Sequence, residues 1–231
     1  MHRNHNLTNT LQADLSVFYK FGINLKRLDK LNVLNEFKIV YILDDSHSMN
    51  TIENQNMSRW KELQDFMNLC LPLTTVFNTK GCDVYFLNNE HYTNVKTKQQ
   101  LKKQFEILPS NDSSLKRMIQ NVIKNHASDF KSLLIILVTD GEQIFTKEQD
   151  LIHFLNKKPN NVHLTIRLCT NDKRIIKSLN QLDCVKRLDI IYDYHKEQKK
   201  VKANNHAFNF AEYILKMLLG SIDPRFDKLD A

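Results

Sequence analysis

Asp44, Ser46 and Ser48 alternate in the segment Asp44-Asp45-Ser46-His47-Ser48, which follows directly on the apolar run 37–43. A buried strand that ends in a carboxylate and two alternating hydroxyls delivers three hard oxygen donors to one point. That donor set suits a small divalent cation, Mg²⁺ or Mn²⁺. Far downstream a second apolar run, 132–138, empties into Thr139-Asp140-Gly141-Glu142 and sets another carboxylate at a strand terminus. Two strand ends thus offer one candidate ion site.

The elements that must bring these ends together are legible in the hydrophobic pattern. From residue 36 onward, short β-rich apolar runs alternate with longer amphipathic runs. This predicts a doubly wound α/β fold, with a mostly parallel central sheet flanked by helices on both faces. Strands are expected at 37–44, 82–88, 132–139, 162–169 and 187–193, and the connection 89–95 has room only for a small edge strand. Helices are expected at 58–77, 97–107, 114–126, 147–156, 172–182 and 206–220, where apolar residues recur three or four apart. Residues 6–35 read as helical, with Leu7, Leu11, Leu15 and Phe18 at helical spacing and Leu25, Leu28, Leu31 and Leu34 at every third position. The expected organisation is a helical N-terminal extension over 1–35, one domain over 36–222 and a tail over 223–231. In such a sheet, ligands bind beyond the carboxyl ends of the strands, where the winding reverses. With 37–44 central and 132–139 its neighbour across the reversal, Asp44, Ser46, Ser48 and Asp140 converge.

The bulk numbers agree with a single sizeable core: 231 residues, 42% apolar and 26% charged. No apolar run approaches the roughly 18 residues that span a bilayer. The N-terminal stretch carries Asn, His and Arg where a secretory leader has an apolar region, so a soluble cytoplasmic protein is expected. Cys70, Cys82, Cys169 and Cys184 lie far apart and mostly inside apolar segments, which predicts buried free thiols rather than a zinc knuckle or a redox pair. The formal charge of +7 attracts polyanions only weakly, because most of the excess is scattered. Its densest cluster is Lys186-Arg187 with Lys196, Lys199, Lys200 and Lys202. This reads as a solvated loop rather than a nucleic-acid patch, since only Tyr192 and Tyr194 interleave with the lysines.

The strand with Asp44-x-Ser46-x-Ser48-Met49 and the strand closing in Thr139-Asp140-Gly141-Glu142 together resemble the metal-ion-dependent adhesion site of the von Willebrand factor type A domain family. The resemblance covers about residues 36–222. The helix opening Ser58-Arg59-Trp60-Lys61-Glu62-Leu63, the strand Cys82-Asp83-Val84-Tyr85-Phe86-Leu87-Asn88 and the closing segment 218–224 are similar to stand-alone intracellular type A domains of eukaryotes. The resemblance implies that Ser46 and Ser48 ligate the ion through their hydroxyls while Asp44 and Asp140 act mostly through waters. The fifth donor of the family, a threonine, maps to Ser113 in the segment 108–115, with Ser114 one residue away. Two departures stand out. His47 replaces the usual glycine of the first loop, where it can face solvent or reach over the ion. Asn111-Asp112 replace paired glycines, which alters backbone freedom and adds a carboxylate that can itself take the open position on the ion.

Plainer roles suffice for other prominent residues. Trp60 is expected as a packing anchor and Ser58 as a helix cap. Glu62 is expected in a capping box or an ion pair, on a solvated first turn shared with Lys61. Glu142 either joins the outer shell of the ion or shapes its turn. The histidines His126, His153, His163, His195 and His206 sit in unrelated segments with no zinc spacing. A Ser46 or Ser48 nucleophile activated by adjacent His47 is disfavoured, because neighbours in an extended loop point apart and no nucleophile elbow is present. Nor does the chain hold a glycine-rich phosphate cradle.

The expected function is therefore non-enzymatic. A protein–protein interaction module would hold a divalent ion that receives an Asp or Glu of a protein partner. The alternatives are a metal-dependent hydrolase or phosphotransferase in the same crevice, and a scaffold with a vestigial site.

Overall fold

Six strands form one sheet in the order β3-β2-β1-β4-β5-β6, where β1 is Phe37–Leu43, β2 Cys82–Phe86, β3 Tyr92–Val95, β4 Ser132–Thr139, β5 Val162–Leu168 and β6 Leu188–Ile191. The computed structural model describes residues 16–53, 56–126, 131–146, 148–179, 181–182, 185–204 and 206–227. All neighbouring strands are parallel except β2 and β3, so the short edge strand runs against the rest. β1 is central, and β4 pairs with it from Phe37↔Ser132 to Leu43↔Val138. The winding reverses between these two strands, as the doubly wound reading requires.

Strand periodicity sends alternate residues to opposite faces, and two cores result. Ile39, Tyr41 and Leu43 join Val84, Phe86, Ile136 and Val138 on one face, packed by the helices Arg59–Phe77 and Phe210–Leu219. Val40, Ile42, Ile135, Leu137, Leu164 and Ile166 face the other way, against the helices Leu115–Asn125, Glu148–Asn156 and Lys173–Leu179. No helix among the described residues is long and apolar enough to cross a membrane.

Several boundaries differ from the sequence reading. The segment 97–107 forms only a 3₁₀ turn, Lys98–Leu101, and one α-turn, Lys102–Phe105, before the chain runs on to Pro109. A helix Glu142–Thr146 precedes Glu148–Asn156, because the Asp140 carboxylate accepts the Glu142 N–H and starts the helix early. The lysine cluster is not a loop beyond Arg187: Lys196, Lys199, Lys200 and Lys202 ride on the helix Tyr194–Ala203, capped by Asp193. Only Tyr194 and Val201 are large apolar residues in that decapeptide, too few to reveal a helical period.

At the N-terminal side, Ser16–Tyr19 and Leu25–Leu31 are helical and Asn32–Glu36 is a 3₁₀ turn, while Leu7, Leu11 and Leu15 lie outside the described residues. Leu28, Leu31 and Leu34 are buried but Leu25 is 61% exposed. A three-residue spacing matches the 3₁₀ period and drifts around an α-helix, which rotates the first leucine off the packed face.

Candidate metal centre

The β1–β4 ladder runs one residue past β1, where the Asp44 N–H donates to the Val138 carbonyl at 2.9 Å. This carries Asp44 to the rim of the sheet with its side chain fully buried. Its Oδ1 accepts the Ser46 N–H at 3.0 Å, which folds the chain back on itself, and the 3₁₀ turn His47–Asn50 follows. Buried Met49 pins that turn to the core. As a result Ser46 Oγ and Ser48 Oγ lie 3.2 Å apart. Across the ladder, the Thr139 hydroxyl donates to Asp44 Oδ2 and accepts the Gly141 N–H at 3.1 Å. Gly141 has φ +82°, and a Cβ there would lie 2.9 Å from Ile175 Cγ2, so the turn that presents Asp140 needs glycine. The structure thus places Asp44, Ser46, Ser48 and Asp140 on adjoining strand ends.

Asp44 is an uneasy anion. Burial, and then the neighbouring Asp140 carboxylate, push its pKa up to about 6, against hydrogen bonds from Ser46 and Thr139 that act the other way. Two acidic groups facing one another out of water repel, and a cation relieves the repulsion.

Ser113 sits on a loop clamped to the first one at several points. The Ser110 N–H donates to the Asp45 carbonyl at 3.0 Å, the His47 N–H to the Asn111 carbonyl at 3.2 Å, and Asn50 Nδ2 to the Pro109 carbonyl at 2.8 Å. Asn111 takes the left-handed conformation, φ 59°, which asparagine tolerates in place of glycine. The Ser113 N–H donates to Asn88 Oδ1 at 3.0 Å. Its neighbour Ser114 caps the helix Leu115–Asn125, with its hydroxyl accepting the Arg117 N–H. His47, Asp112 and Ser113 are exposed.

Two buried charged residues that organise the site escaped the sequence reading. Asp45 accepts the Asn88 N–H at 2.8 Å and both Asn88 Nδ2 and Asn89 Nδ2, tying the β1 loop to the end of β2 and, through Asn88, to Ser113. Arg59 is the larger omission. At 5% exposure, its guanidinium meets Asp140 Oδ2 at 2.8 Å, Glu142 Oε1 at 2.9 Å, Glu53 Oε1 at 2.9 Å, Thr170 Oγ1 at 3.1 Å and the Ser48 carbonyl at 3.4 Å. Burial works against its charge, but Glu142, Asp140 and Glu53 outweigh burial and raise its pKa. Burial likewise opposes ionisation of Glu53, yet Arg59 and Thr170 hold that carboxyl below its ordinary range. The Asp44-Asp45 doublet and an arginine opening a helix just past the motif were the only signals for these roles.

The remaining residues take structural parts. Trp60 is buried edge-on to Phe86 and Phe105, and Ser58 accepts the Lys61 N–H as a helix cap. Glu62 takes the expected ion-pair role, with buried Arg167 at 2.6 Å, which leaves it only partly solvated. Cys70, Cys82 and Cys169 are buried free thiols, and Cys184 lies outside the described residues. Among the described residues, no group of three or more His, Cys, Asp or Glu side chains is arranged to hold a metal, so any ion at this rim depends on hydroxyl donors. No protein-family model matches the chain, and no curated protein matches it in sequence.

Proposed function

We propose that the chain is a metal-dependent protein-interaction module of the von Willebrand factor type A kind. Its rim would bind Mg²⁺ or Mn²⁺ and through it an Asp or Glu side chain of a protein partner. One observation carries the reading: two serine hydroxyls 3.2 Å apart stand over a buried Asp44 that is pressed by Asp140. The donors fit a small hard cation. Ser46, Ser48 and Ser113 would hold the ion through their neutral hydroxyls, with the carboxylates of Asp44 and Asp140 behind them. Charge supports the fit as well, since Asp140, Glu142 and Glu53 share one guanidinium, that of Arg59, while buried Asp44 lies beside Asp140 with no cation of its own among the contacts that shift its pKa. When bound, the ion would supply a strong positive field at the rim. Inner-shell ligands without charge leave that field uncancelled and available to an outside carboxylate.

Isothermal titration with Mg²⁺ and Mn²⁺ tests the metal, using wild type and the Ser46→Ala/Ser48→Ala double variant. Wild type should bind and the variant should not. Peptides carrying one Asp or Glu should then be retained on the loaded protein, and their Asn or Gln counterparts should not. Turnover of generic phosphate or carboxylic esters would favour a hydrolase instead. A second reading also has a specific observation behind it. Arg59 already neutralises Asp140, so a chain that takes up no ion at millimolar concentration would be a scaffold in which the guanidinium has replaced the metal.

A further inference from the structure

We infer that Arg59 is a resident counter-cation of the rim and that it sets the affinity of the site for divalent ions; the inference rests on the metal reading above. All three nitrogens of its guanidinium engage acceptors of the site. Nε and Nη2 serve Glu53, Nη1 serves Asp140 and Glu142, and Nη2 also reaches Thr170. Those acceptors come from the β1 loop, the turn after β4 and the end of β5, and Nη1 also approaches the Ser48 carbonyl at 3.4 Å. The planar fork therefore does two jobs that a divalent ion would otherwise do alone: it cross-links the loops and it offsets the charge of Asp140.

An entering Mg²⁺ must share Asp140 with this fixed charge. A like charge held inside the same cluster weakens the field that draws the ion in, and at the effective dielectric of a protein rim this amounts to about tenfold or more in affinity. The arrangement yields a site that stays assembled when empty and that loads only when divalent ion is abundant, or when a partner carboxylate adds its own attraction. In Arg59→Gln the side chain still donates a hydrogen bond but the charge is gone, so the loops are held less firmly and the ion is held more tightly. In Arg59→Lys the charge stays, so affinity stays near that of wild type even though the fork is lost.

The test compares wild type, Arg59→Gln and Arg59→Lys by Mg²⁺ titration calorimetry, and by thermal melting in chelator and in millimolar Mg²⁺. The expected result is about tenfold or more tighter Mg²⁺ binding in Arg59→Gln, with a lower melting point in chelator and a larger rise on adding Mg²⁺. Arg59→Lys should bind much as wild type does. Should Arg59→Gln fail to fold in chelator, recovery of the fold by Mg²⁺ supports the role, and persistent unfolding in Mg²⁺ overturns it. Equal or weaker binding by a folded Arg59→Gln also overturns it, and leaves the metal reading standing if wild type binds. Binding by Arg59→Gln alone shows the guanidinium excluding the ion altogether. Failure of every form to bind removes the metal reading and this inference with it.

Discussion

Arg59 Nη1 lies 2.8 Å from Asp140 Oδ2, so the carboxylate that closes β4 is ion-paired to the first residue of the helix Arg59–Phe77. Both partners are buried, at 5% and 1% side-chain exposure. A buried pair contributes modestly when intact, but losing one member is costly because the other keeps its charge out of water. Arg59 retains Glu53 and Glu142 when Asp140 is removed, which softens the loss. We expect Asp140→Ala to lower stability by about 2 kcal/mol in chelator, read from urea denaturation, with Asp140→Asn losing less because it still accepts the Glu142 N–H. A variant as stable as wild type would show that this pair is energetically idle.

Asp44 behaves in the opposite sense. Its pKa rises from 3.8 to about 6 on folding, so between those values the native state binds more protons than the unfolded chain. Stability without metal therefore falls as pH rises through that window, and the cost persists above it. Asp44→Asn carries no such cost. In chelator at pH 8 it should be more stable than wild type by about 2 kcal/mol, and near pH 4 the gain should vanish. Magnesium should stabilise wild type and leave Asp44→Asn unmoved. A loss of stability in Asp44→Asn at pH 8 would contradict the assignment of Asp44 as a strained anion.

Asp45 gathers three donors from Asn88 and Asn89, and Asn88 in turn holds the Ser113 N–H. Asp45→Ala would leave those donors without their charged acceptor and loosen the Asn88 side chain that holds the Ser113 N–H, while the bonds at Pro109, Ser110 and Asn111 remain. Hydrogen bonds to a charged group are each worth roughly 1.5–3 kcal/mol, so a loss of about 3 kcal/mol is expected, together with weaker metal binding. Asn88→Ala keeps the Asp45 bond to the backbone N–H and should lose less stability, but a similar share of metal binding. If metal affinity is unchanged in both, Ser113 is not a ligand.

His163 sits at the far side of the domain from the rim loops, buried edge-on to Phe37 with Nδ1 2.7 Å from the Ser221 carbonyl. Burial lowers its pKa below the ordinary 6.5, and Arg187 and Lys158 add to this, while the Ser221 bond acts against it. A histidine with a depressed native pKa resists protonation that the unfolded chain accepts. Its stabilising contribution is complete above pH 6.5 and is lost as pH falls below it. Wild type should therefore lose more stability between pH 7.5 and pH 5 than His163→Asn does, measured by guanidinium denaturation at each pH. Parallel losses would mean that other groups carry the acid sensitivity.

The sequence by itself determined the α/β class, the positions of the main strands and the sites at which Asp44, Ser46, Ser48 and Asp140 leave them. Those features depend on runs of local apolar residues and on period, and both are written linearly along the chain. Short elements were blurred for the same reason: Lys98–Leu101 and Lys102–Phe105 are too brief for a period to emerge, and the lysines of Tyr194–Ala203 hide its single buried valine, Val201. Tertiary structure alone decided the charge balance of the rim. Arg59 pairs with Asp140 across 81 positions and reaches Thr170 across 111, and Asp45 reaches Asn88 across 43. Such contacts have no period and no local signature. They exist because the parallel crossovers bring the carboxyl ends of β1, β2, β4 and β5 to one edge, where buried polar groups must find partners among whatever the neighbouring loops present.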